Sequence, residues 1–412
     1  MNHGKITLDP GAAALLDALH GAGYAAYAVG GCVRDSLLGS TPHDWDLCTS
    51  ARPEQVMELF GPEQCIPTGL QHGTITVKHG GRLYETTTFR VEGRYSDGRH
   101  PDSVAFVPDV REDLARRDFT INAMAYSAEE GLCDPFGGRE DLARGVVRAV
   151  GEPLRRFGED ALRILRLYRF AARFGFAIDE ATEAAAKQLA SHLDCVSAER
   201  IEEELNKLLA APQPGAYLEP EVLAFVLPEL PPEELTKARR RIDALPAGTE
   251  QVSARWAALL LPLGETGARK ALKRLKCSNA RIDGAAALVR ECGEKTPDTL
   301  DKCDLCLQAK RLLGKYDLHT VRQLTALWTA LAPEEKASFD ALRAEAEALT
   351  AQGVCCRISQ LAVNGRDLMA AGAAPGPGLR RVLEALLEEV VTGRLPNEKT
   401  ELLAFAAGFS AS

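Results

Sequence analysis

The spacing of hydrophobic positions along the chain changes near residue 150. Before it, short alternating or β-branched runs are separated by glycines, as in AAYAVGG, GTITVKHGGRLYETTTF and SVAFV, and this pattern predicts strands. The runs LLDALH and PEQVMELF between them have the spacing of amphipathic helices. Together these runs predict a mixed sheet with helices packed on it.

After residue 150 nearly all of the chain has helical periodicity. Breaks rich in proline and glycine, such as APQPGAYLEP, VLPELPPEE, ALPAGTE and AAGAAPGPG, mark helix ends and subdomain joints. The pattern predicts an α+β fold, with an N-terminal mixed-sheet head followed by an all-helical neck, body and tail. We expect the head to span residues 1–148, the neck 149–210, the body 211–345 and the tail 346–412.

The length and composition are those of a multidomain globular protein. With 412 residues, 46% hydrophobic and 26% charged, the chain is too long for one ordinary core. No apolar run is long enough to span a bilayer, and the start has no signal-peptide pattern, so we expect no membrane association. The 11 cysteines are odd in number and scattered, which is typical of reduced thiols in a cytoplasmic protein.

The net charge of −9 argues at first against a nucleic-acid partner, but the basic residues are clustered. Between Arg144 and Arg173 eight arginines stand against three acids, a local balance of +5, and ARKALKRLKCSNARID carries six basic residues against one Asp. Such clusters suit a partner whose phosphates are gripped in one place. For either cluster alone, a solvated helix face is an equally good interpretation.

The stretch AVGGCVRDSLLGSTPHDWDLCTS, residues 28–50, combines a diglycine, an arginine and two acids. DWDLC alternates as a strand does, which predicts Asp44 and Asp46 on one face and Trp45 on the other. Two neighbouring carboxylates repel each other unless a cation neutralises them, and hard oxygen ligands suit Mg²⁺. The glycines let backbone N–H groups approach a phosphate at the start of a helix, where Arg34 adds a charge-assisted contact.

A third acid lies in RLYETTTF, where Glu85 shares a strand face with Leu83, Thr87 and Phe89. We expect this more apolar face to point inward, where an unpaired carboxylate is costly. An isolated Asp-x-Asp is usually an exposed turn or strand edge. A diglycine, an arginine, Asp-x-Asp and a later inward acid, in this order, favour phosphoryl or nucleotidyl transfer instead.

In these motifs the chain resembles the polymerase-β-type nucleotidyltransferases, and more narrowly the bacterial class II tRNA nucleotidyltransferases, the CCA-adding enzymes. The resemblance continues through HGTITV, ETTTFRVEGRYSDGRHPDSVAF, EDLARRDFTINAMAY, DPFGGREDL, RFGEDALRILRLYRFAARFGF and ERIEEELNKLL. It returns in GPGLRRVLEALLEEVVTGRLPNEKTELLAFA. It implies Mg²⁺-dependent, template-independent addition of C, C and A to the 3′ end of a tRNA from CTP and ATP, with release of pyrophosphate.

The resemblance also implies roles for individual residues. Asp44 and Asp46 would bind Mg²⁺, and Glu85 would be the third carboxylate. The residues expected to contact nucleotide are Gly31, Arg34, Arg117, Asp160, Arg163, Arg166 and Arg169. Asp118 and Asn122 would shape the site, and Arg116 could exchange roles with Arg117, since the sequence does not orient two neighbours.

The motif around Asp160 has a chemical interpretation. If it is helical, positions 160 and 163 lie about 60° apart on one face, while Arg169 is roughly opposite Asp160 and contacts phosphate or RNA more easily than a base. Cytosine and adenine present an amino donor beside an unprotonated ring nitrogen, which an Asp acceptor and an Arg donor complement. Guanine and uracil present the reverse pattern. One protein face could thus select C and A without a template, although an ordinary surface Asp–Arg pair is the alternative.

Other functions stay open at this point. A poly(A) polymerase, a CC-only enzyme or an A-only enzyme would share the head and neck motifs. By resemblance, RVEGRYSDGRHPDSVAF forms a mobile loop that accompanies addition of the final A, which disfavours a CC-only enzyme, and the C-terminal tail disfavours a poly(A) polymerase. A non-catalytic RNA-binding protein is disfavoured by the intact Asp44, Asp46, Arg34 and Asp160. We expect a monomer or a weakly associating dimer.

Overall fold

The computed structural model describes residues 6–93, 103–294 and 305–409. The chain divides into two compact units, residues 1–228 and residues 229–412. The predicted head and neck fall within the first unit, and the boundaries at residues 148, 210 and 345 stay predictions. The expected mobile loop lies partly outside the described residues, because they do not include residues 94–102.

The strands of the described residues all belong to the first unit. They are β1 (Ala26–Val29), β2 (Leu47–Thr49), β3 (Cys65–Gly69), β4 (Thr74–His79), β5 (Arg82–Thr88), β6 (Arg90–Glu92), β7 (Val104–Phe106), β8 (Ala125–Ser127), β9 (Gly131–Cys133), β10 (Val146–Val147) and β11 (Ala177–Ile178). Its α-helices are α1 (Pro10–Gly21), α2 (Gly31–Leu37), α3 (Pro53–Phe60), α4 (Val110–Ala115), α5 (Gly138–Arg144), α6 (Pro153–Glu159), α7 (Leu162–Phe174), α8 (Glu180–Gln188), α9 (Ala198–Leu209) and α10 (Pro220–Val226).

The second unit is helical throughout its described residues. Its helices are α11 (Leu235–Asp243), α12 (Val252–Leu260), α13 (Gly264–Arg274), α14 (Asn279–Glu294), α15 (Leu305–Lys315), α16 (Leu318–Leu331), α17 (Lys336–Ala351), α18 (Gly365–Ala370), α19 (Pro377–Val391) and α20 (Lys399–Phe409). No described helix is long and apolar enough to cross a membrane. A mixed sheet followed by helices confirms the predicted α+β class, with the short pair β10–β11 as a small exception after residue 145.

Seven strands form one mixed sheet in the order β3-β4-β5-β2-β1-β8-β9. Its neighbours pair antiparallel except for β2 and β5, which are parallel and lie at the centre. One apolar cluster of the head consists of Tyr27, Val29, Cys48, Phe89, Val110, Leu114, Ala123, Ala125 and Val150. This cluster places helix α4 and the strands β1, β2 and β8 around a common core, and the candidate acids lie at one end of the parallel pair.

One expectation about the extent of a strand and one about the face of another are wrong. Strand β2 begins only at Leu47, so Asp44 and Asp46 lie in the segment before it, although they are exposed and Trp45 between them is buried. Glu85 is also exposed, beside Leu83, whose exposed fraction is 62%.

The buried face of β5 is instead the one formed by Tyr84, Thr86 and Thr88. Hydrogen bonds compensate the burial of two of its polar groups, the hydroxyls of Tyr84 and Thr88. The Tyr84 hydroxyl donates to Asp9 Oδ2 at 2.5 Å, and the Thr88 hydroxyl donates to the Ala51 carbonyl at 2.7 Å. Polarity alone therefore predicts the wrong face of this strand.

Candidate active site

The diglycine forms the turn between β1 and α2. Gly30 has φ +77° and ψ −122°, a conformation that side chains other than glycine rarely adopt. Its N–H donates to the Met124 carbonyl at 3.0 Å, and a Cβ at this position would stand 2.7 Å from Nη1 of Arg117. A glycine here thus permits both the turn and the close approach of Arg117.

The acids Asp44, Asp46 and Glu85 are exposed at one end of the parallel β2–β5 pair. In this pair Leu47 stands opposite Thr86, so the same register extended by one residue places Asp46 beside Glu85. The backbone of Asp46 is fixed, because its carbonyl accepts the Val29 N–H at 2.9 Å. The topology therefore brings together two acids that are far apart in the sequence.

The electrostatics of Asp46 show the proximity of the three acids. Partial desolvation and then the charge of Glu85 raise the pKa of Asp46 above its usual range, and Asp44 adds to this effect. Arg117 acts in the opposite direction. The carboxylates repel one another, and a bound cation would relieve that repulsion.

The described residues do not bring three His, Cys, Asp or Glu side chains close enough together to hold a metal ion as they stand. The chemistry of the donors nevertheless fits a hard divalent cation. The set consists only of carboxylate oxygens, is open to solvent, and leaves room for ligands from water or phosphate, as Mg²⁺ prefers. Asp44, Asp46 and Glu85 are thus the residues that would hold such an ion.

Arg34 is buried beneath the diglycine turn. Its Nε donates to Asp35 Oδ1 at 2.8 Å, and its Nη1 donates to Asn122 Oδ1. The guanidinium lies 5.2 Å from the ring centroid of Phe170 and 5.0 Å from that of Phe174, both on α7. Arg34 therefore links α2 to the neck helix α7.

Asp118 continues this link. Its Oδ1 accepts from Asn122 Nδ2 at 3.0 Å, and its Oδ2 accepts from Arg166 Nε at 2.8 Å and Nη2 at 2.5 Å. Burial by itself would raise the pKa of Asp118, but Arg166 and Asn122 hold it well below the usual range. We call the connected residues Asp35, Arg34, Asn122, Asp118 and Arg166 the Asp118 network.

Arg116 and Arg117 point to different places, although Asp113 on α4 pairs with both. Arg116 donates to Asp113 Oδ1 and to Glu92 Oε1, each at 2.9 Å. Arg117 lies 3.6 Å from Asp113 Oδ2 and against Gly30, and its charge acts on Asp46. Arg117 thus lies on the side of the acids, and which of the two arginines contacts nucleotide stays a prediction.

The expectation that Asp160 and Arg163 share one helical face is wrong. Asp160 has an extended backbone, φ −145° and ψ 105°, and lies between the end of α6 and the start of α7. Its Oδ1 accepts the Leu162 N–H at 3.0 Å, so the side chain caps α7 and interrupts the helix. Its Oδ2 pairs with Arg200 Nη2 at 2.8 Å.

Arg163 is held by groups other than Asp160. Its Nη1 donates to Glu159 Oε2 at 2.7 Å and to the Arg156 carbonyl at 2.9 Å. Its Nη2 donates to the Arg116 carbonyl at 3.2 Å, in the segment that also contains Arg117. The two side chains expected to recognise the base are therefore positioned by separate partners.

The eight arginines between Arg144 and Arg173 all have acidic partners. The pairs are Arg144–Glu140, Arg148–Asp141, Arg155–Glu159, Arg156–Glu159, Arg163–Glu159, Arg166–Asp118, Arg169–Glu204 and Arg173–Asp35. Most of these acids lie outside the basic stretch. The local balance of +5 is thus offset in space, and buried Arg169, 2.5 Å from Glu204, serves the packing of α7 on α9.

Three residues that the sequence interpretation passed over belong to this arrangement: Asp113, Arg200 and Glu204. Glu204 is buried on the apolar stripe of α9 with Ile201 and Leu205, and its place in that stripe was a usable signal. The spacing of Asp113 to the next two arginines, three and four residues on, was another. Arg200 gave no local signal, because Asp160 is 40 residues away.

Comparisons with known proteins match most of the chain. The family model described as "Poly A polymerase head domain" matches residues 26–148, and the model of tRNA nucleotidyltransferase domain 2 matches residues 248–406. A CCA-adding enzyme of Limosilactobacillus fermentum is 37% identical over 408 residues, which is 95% of each chain.

Among solved structures, the Bacillus stearothermophilus CCA-adding enzyme in complex with CTP has a TM-score of 0.80 and 34% identity, and the match covers 98% of each chain. The Thermotoga maritima CCA-adding enzyme complexed with tRNA has a TM-score of 0.68 at 22% identity, over 96% of this chain and 94% of that one. The second likeness shows a shared fold.

The turn at Gly30 gives a stability prediction. Gly30→Ala should lower the free energy of unfolding by about 1–3 kcal/mol, because alanine is strained at this φ and its Cβ would displace Arg117. Gly31→Ala is the matched control, since its Cβ would meet only Arg34 Nη2 at 3.5 Å, an ordinary contact. Denaturant unfolding of both variants measures the difference, and equal stabilities would contradict the account of this turn.

Proposed function

This chain belongs to the family of CCA-adding enzymes, and we propose that the site described above carries out its nucleotidyl transfer. The chain is a tRNA nucleotidyltransferase that adds C, C and A to the 3′ end of tRNA from CTP and ATP, without a template, and releases pyrophosphate. One observation carries the assignment of the site. Asp118 joins Arg34 at the diglycine turn to α7 through Asn122 and Arg166, and Arg117, which lies against Gly30, acts on Asp46 through its charge, all within one unit.

The acids are proposed to hold Mg²⁺. Asp44 and Asp46 would be the ligands, with Glu85 as the third carboxylate, because their exposed, mutually repelling charges fit a hard cation. When bound, such ions make a ribose hydroxyl easier to deprotonate and neutralise charge on phosphate oxygens. The fixed backbone of Asp46 keeps its carboxylate in place at the site where the 3′-oxygen of the tRNA, after losing its proton, would attack the α-phosphorus of CTP or ATP, so that a new P–O bond forms as the bond to pyrophosphate breaks.

The triphosphate is proposed to bind at the diglycine turn. Gly31 opens α2 and leaves its backbone accessible, and Arg117 lies beside the turn as a charge-assisted donor. Arg34 is committed to Asp35 and Asn122, so its contribution includes holding the turn on α7. Pyrophosphate would leave from this side of the site.

The base is proposed to be selected by Asp160 and Arg163. Asp160 is a partly accessible carboxylate with acceptor capacity left after its two hydrogen bonds, and Arg163 has donors left after its three. An acceptor and a donor complement the edge that cytosine and adenine share. Arg166 and Arg169 support this region through Asp118 and Glu204, and their direct contact with nucleotide stays a prediction.

The wider setting follows from the same proposal. The body and tail would hold tRNA by its shape and phosphates, partly through the exposed Lys270 and Lys273 of α13. We propose a monomer or weak dimer that acts in the cytoplasm, in keeping with free thiols at all described cysteines.

The metal assignment predicts the behaviour of two isosteric variants. Asp44→Asn and Asp46→Asn should each lower kcat/KM for CTP by roughly 10³-fold, because the lost ligand removes several kcal/mol of transition-state stabilisation. Their free energies of unfolding should be unchanged or slightly higher, since repulsion among the acids is relieved. Asp17→Asn, an exposed position on α1, is the control. Near-normal turnover of either variant in Mg²⁺ would show that the acids are not the metal ligands.

The base-selection assignment predicts a change in discrimination. Asp160→Asn should lower the ratio of kcat/KM for CTP to that for UTP by at least about tenfold, because the amide replaces an acceptor with a donor. Asn keeps one acceptor for the α7 cap, so folding should be preserved. Asp194→Asn, an exposed neck position, is the control. If activity falls equally with all four nucleotides, Asp160 is a scaffold residue and the base is read elsewhere.

A further inference from the structure

Arg200, in the neck, makes an ion pair with Asp160 to which the proposed transfer reaction assigns no role. It lies in the first turn of α9, and its Nη2 donates to Asp160 Oδ2 at 2.8 Å. The two side chains keep 21% and 16% of their surface exposed, so the pair borders solvent without being a mobile surface contact. An ion pair with one planar donor fork and one short acceptor side chain has few alternative geometries.

The other oxygen of Asp160 is also fixed. Oδ1 accepts the Leu162 N–H at 3.0 Å, so one backbone donor and one side-chain donor hold the carboxylate at both ends. A carboxylate has about four acceptor positions, and two of them are left for a ligand. Asp160 can therefore accept from an incoming amino group without losing either of its present partners.

The position of Arg200 is itself rigid. Helix α9 buries Ile201, Leu205 and Leu208, and its second ion pair, Glu204 with Arg169, anchors it to α7 one turn further on. Arg200 and Glu204 are four residues apart and thus lie on one side of α9. Arg200 pairs with Asp160 just before α7, and Glu204 pairs with Arg169 within it. The orientation of Asp160 is in this way tied to the packing of two helices.

We propose that Arg200 is a positioning residue for nucleotide selection, which orients Asp160 so that its free lone pairs receive the amino group of cytosine or adenine. The inference rests on the proposed base-selecting role of Asp160. An acceptor that is already oriented loses little conformational entropy when the base enters, so the orientation increases the affinity for the correct nucleotides. Arg200 does not touch the reacting atoms.

The test compares CTP with UTP, and ATP with GTP, by kcat/KM on a tRNA that lacks its terminus. Arg200→Met keeps much of the side-chain length but removes the donors, and it should lower both ratios by about 10- to 100-fold, as expected for one lost hydrogen bond between charged groups. The loss should lie mainly in a higher KM for CTP and ATP. Arg200→Lys should restore much of the ratio, and Lys207→Met, on the same helix with a surface ion pair, should change neither ratio.

A double variant distinguishes the positioning role of Arg200 from the base-selecting role of Asp160. In an Asp160→Asn background, Arg200→Met should cause no further loss of discrimination. If Asp160→Asn lowers the ratios but Arg200→Met leaves them unchanged, or lowers activity equally for all four nucleotides, the positioning role is refuted and base selection by Asp160 survives. If Asp160→Asn itself leaves the ratios unchanged, both proposals fail. Thermal unfolding identifies a variant that does not fold, in which case Arg200→Gln takes the place of Arg200→Met.

Discussion

The buried carboxylate of Asp118 is the constraint on which the arrangement of the catalytic unit depends. A buried charge without partners destabilises a folded chain strongly, so the fold must bring hydrogen-bond donors and a positive charge to the Asp118 carboxylate. Asn122 comes from its own segment, and Arg166 comes from α7 with two hydrogen bonds. The pairing therefore fixes the position of the neck helix on the head.

The proposed triphosphate site and the proposed base-selecting site both contain residues next to the pair of Asp118 and Arg166. On one side, Asn122 accepts from Arg34, which holds α2 and the diglycine turn. On the other side, Arg166 lies one turn after Arg163 on α7, and the capping residue Asp160 stands just before that helix. The proposed triphosphate site and the proposed base-selecting site are thus two ends of one hydrogen-bonded structure. In the proposed site, such coupling would let the protein itself present the selecting groups at a set distance from the acids, so that no template is needed.

The sequence predicts some of these features well, for physical reasons that can be stated. The change from alternating to helical periodicity gives the α+β class correctly, since periodicity reflects burial directly. The exposed acids Asp44 and Asp46 follow from the buried Trp45 between them. Glu85 is misplaced because the inward face of β5 is rich in threonine, and the hydrogen bond from Thr88 to the Ala51 carbonyl offsets part of the cost of burying that polar face.

Other features depend on partners that only the fold supplies. Asp160 leaves the helical pattern because its side chain caps α7, and residue spacing cannot distinguish a cap from a first turn. In the sequence the arginine-rich stretch has a strong positive balance, yet acids from α2, α5, α9 and the segment of Asp118 pair with its arginines. Ion pairs over such separations leave no local pattern.

The central claim is that the Asp118 network aligns nucleotide binding with base selection, and Asp118→Asn tests it most directly. The amide keeps the size of the side chain but removes the nearer of the two negative charges that Arg166 pairs with, since Glu204 lies 4.0 Å away. Steady-state kinetics with all four nucleotides should show kcat/KM for CTP and ATP reduced by about 10²-fold, together with weaker discrimination against UTP and GTP, in a chain that remains folded. Wild-type kcat/KM values and wild-type discrimination in this variant would contradict the account.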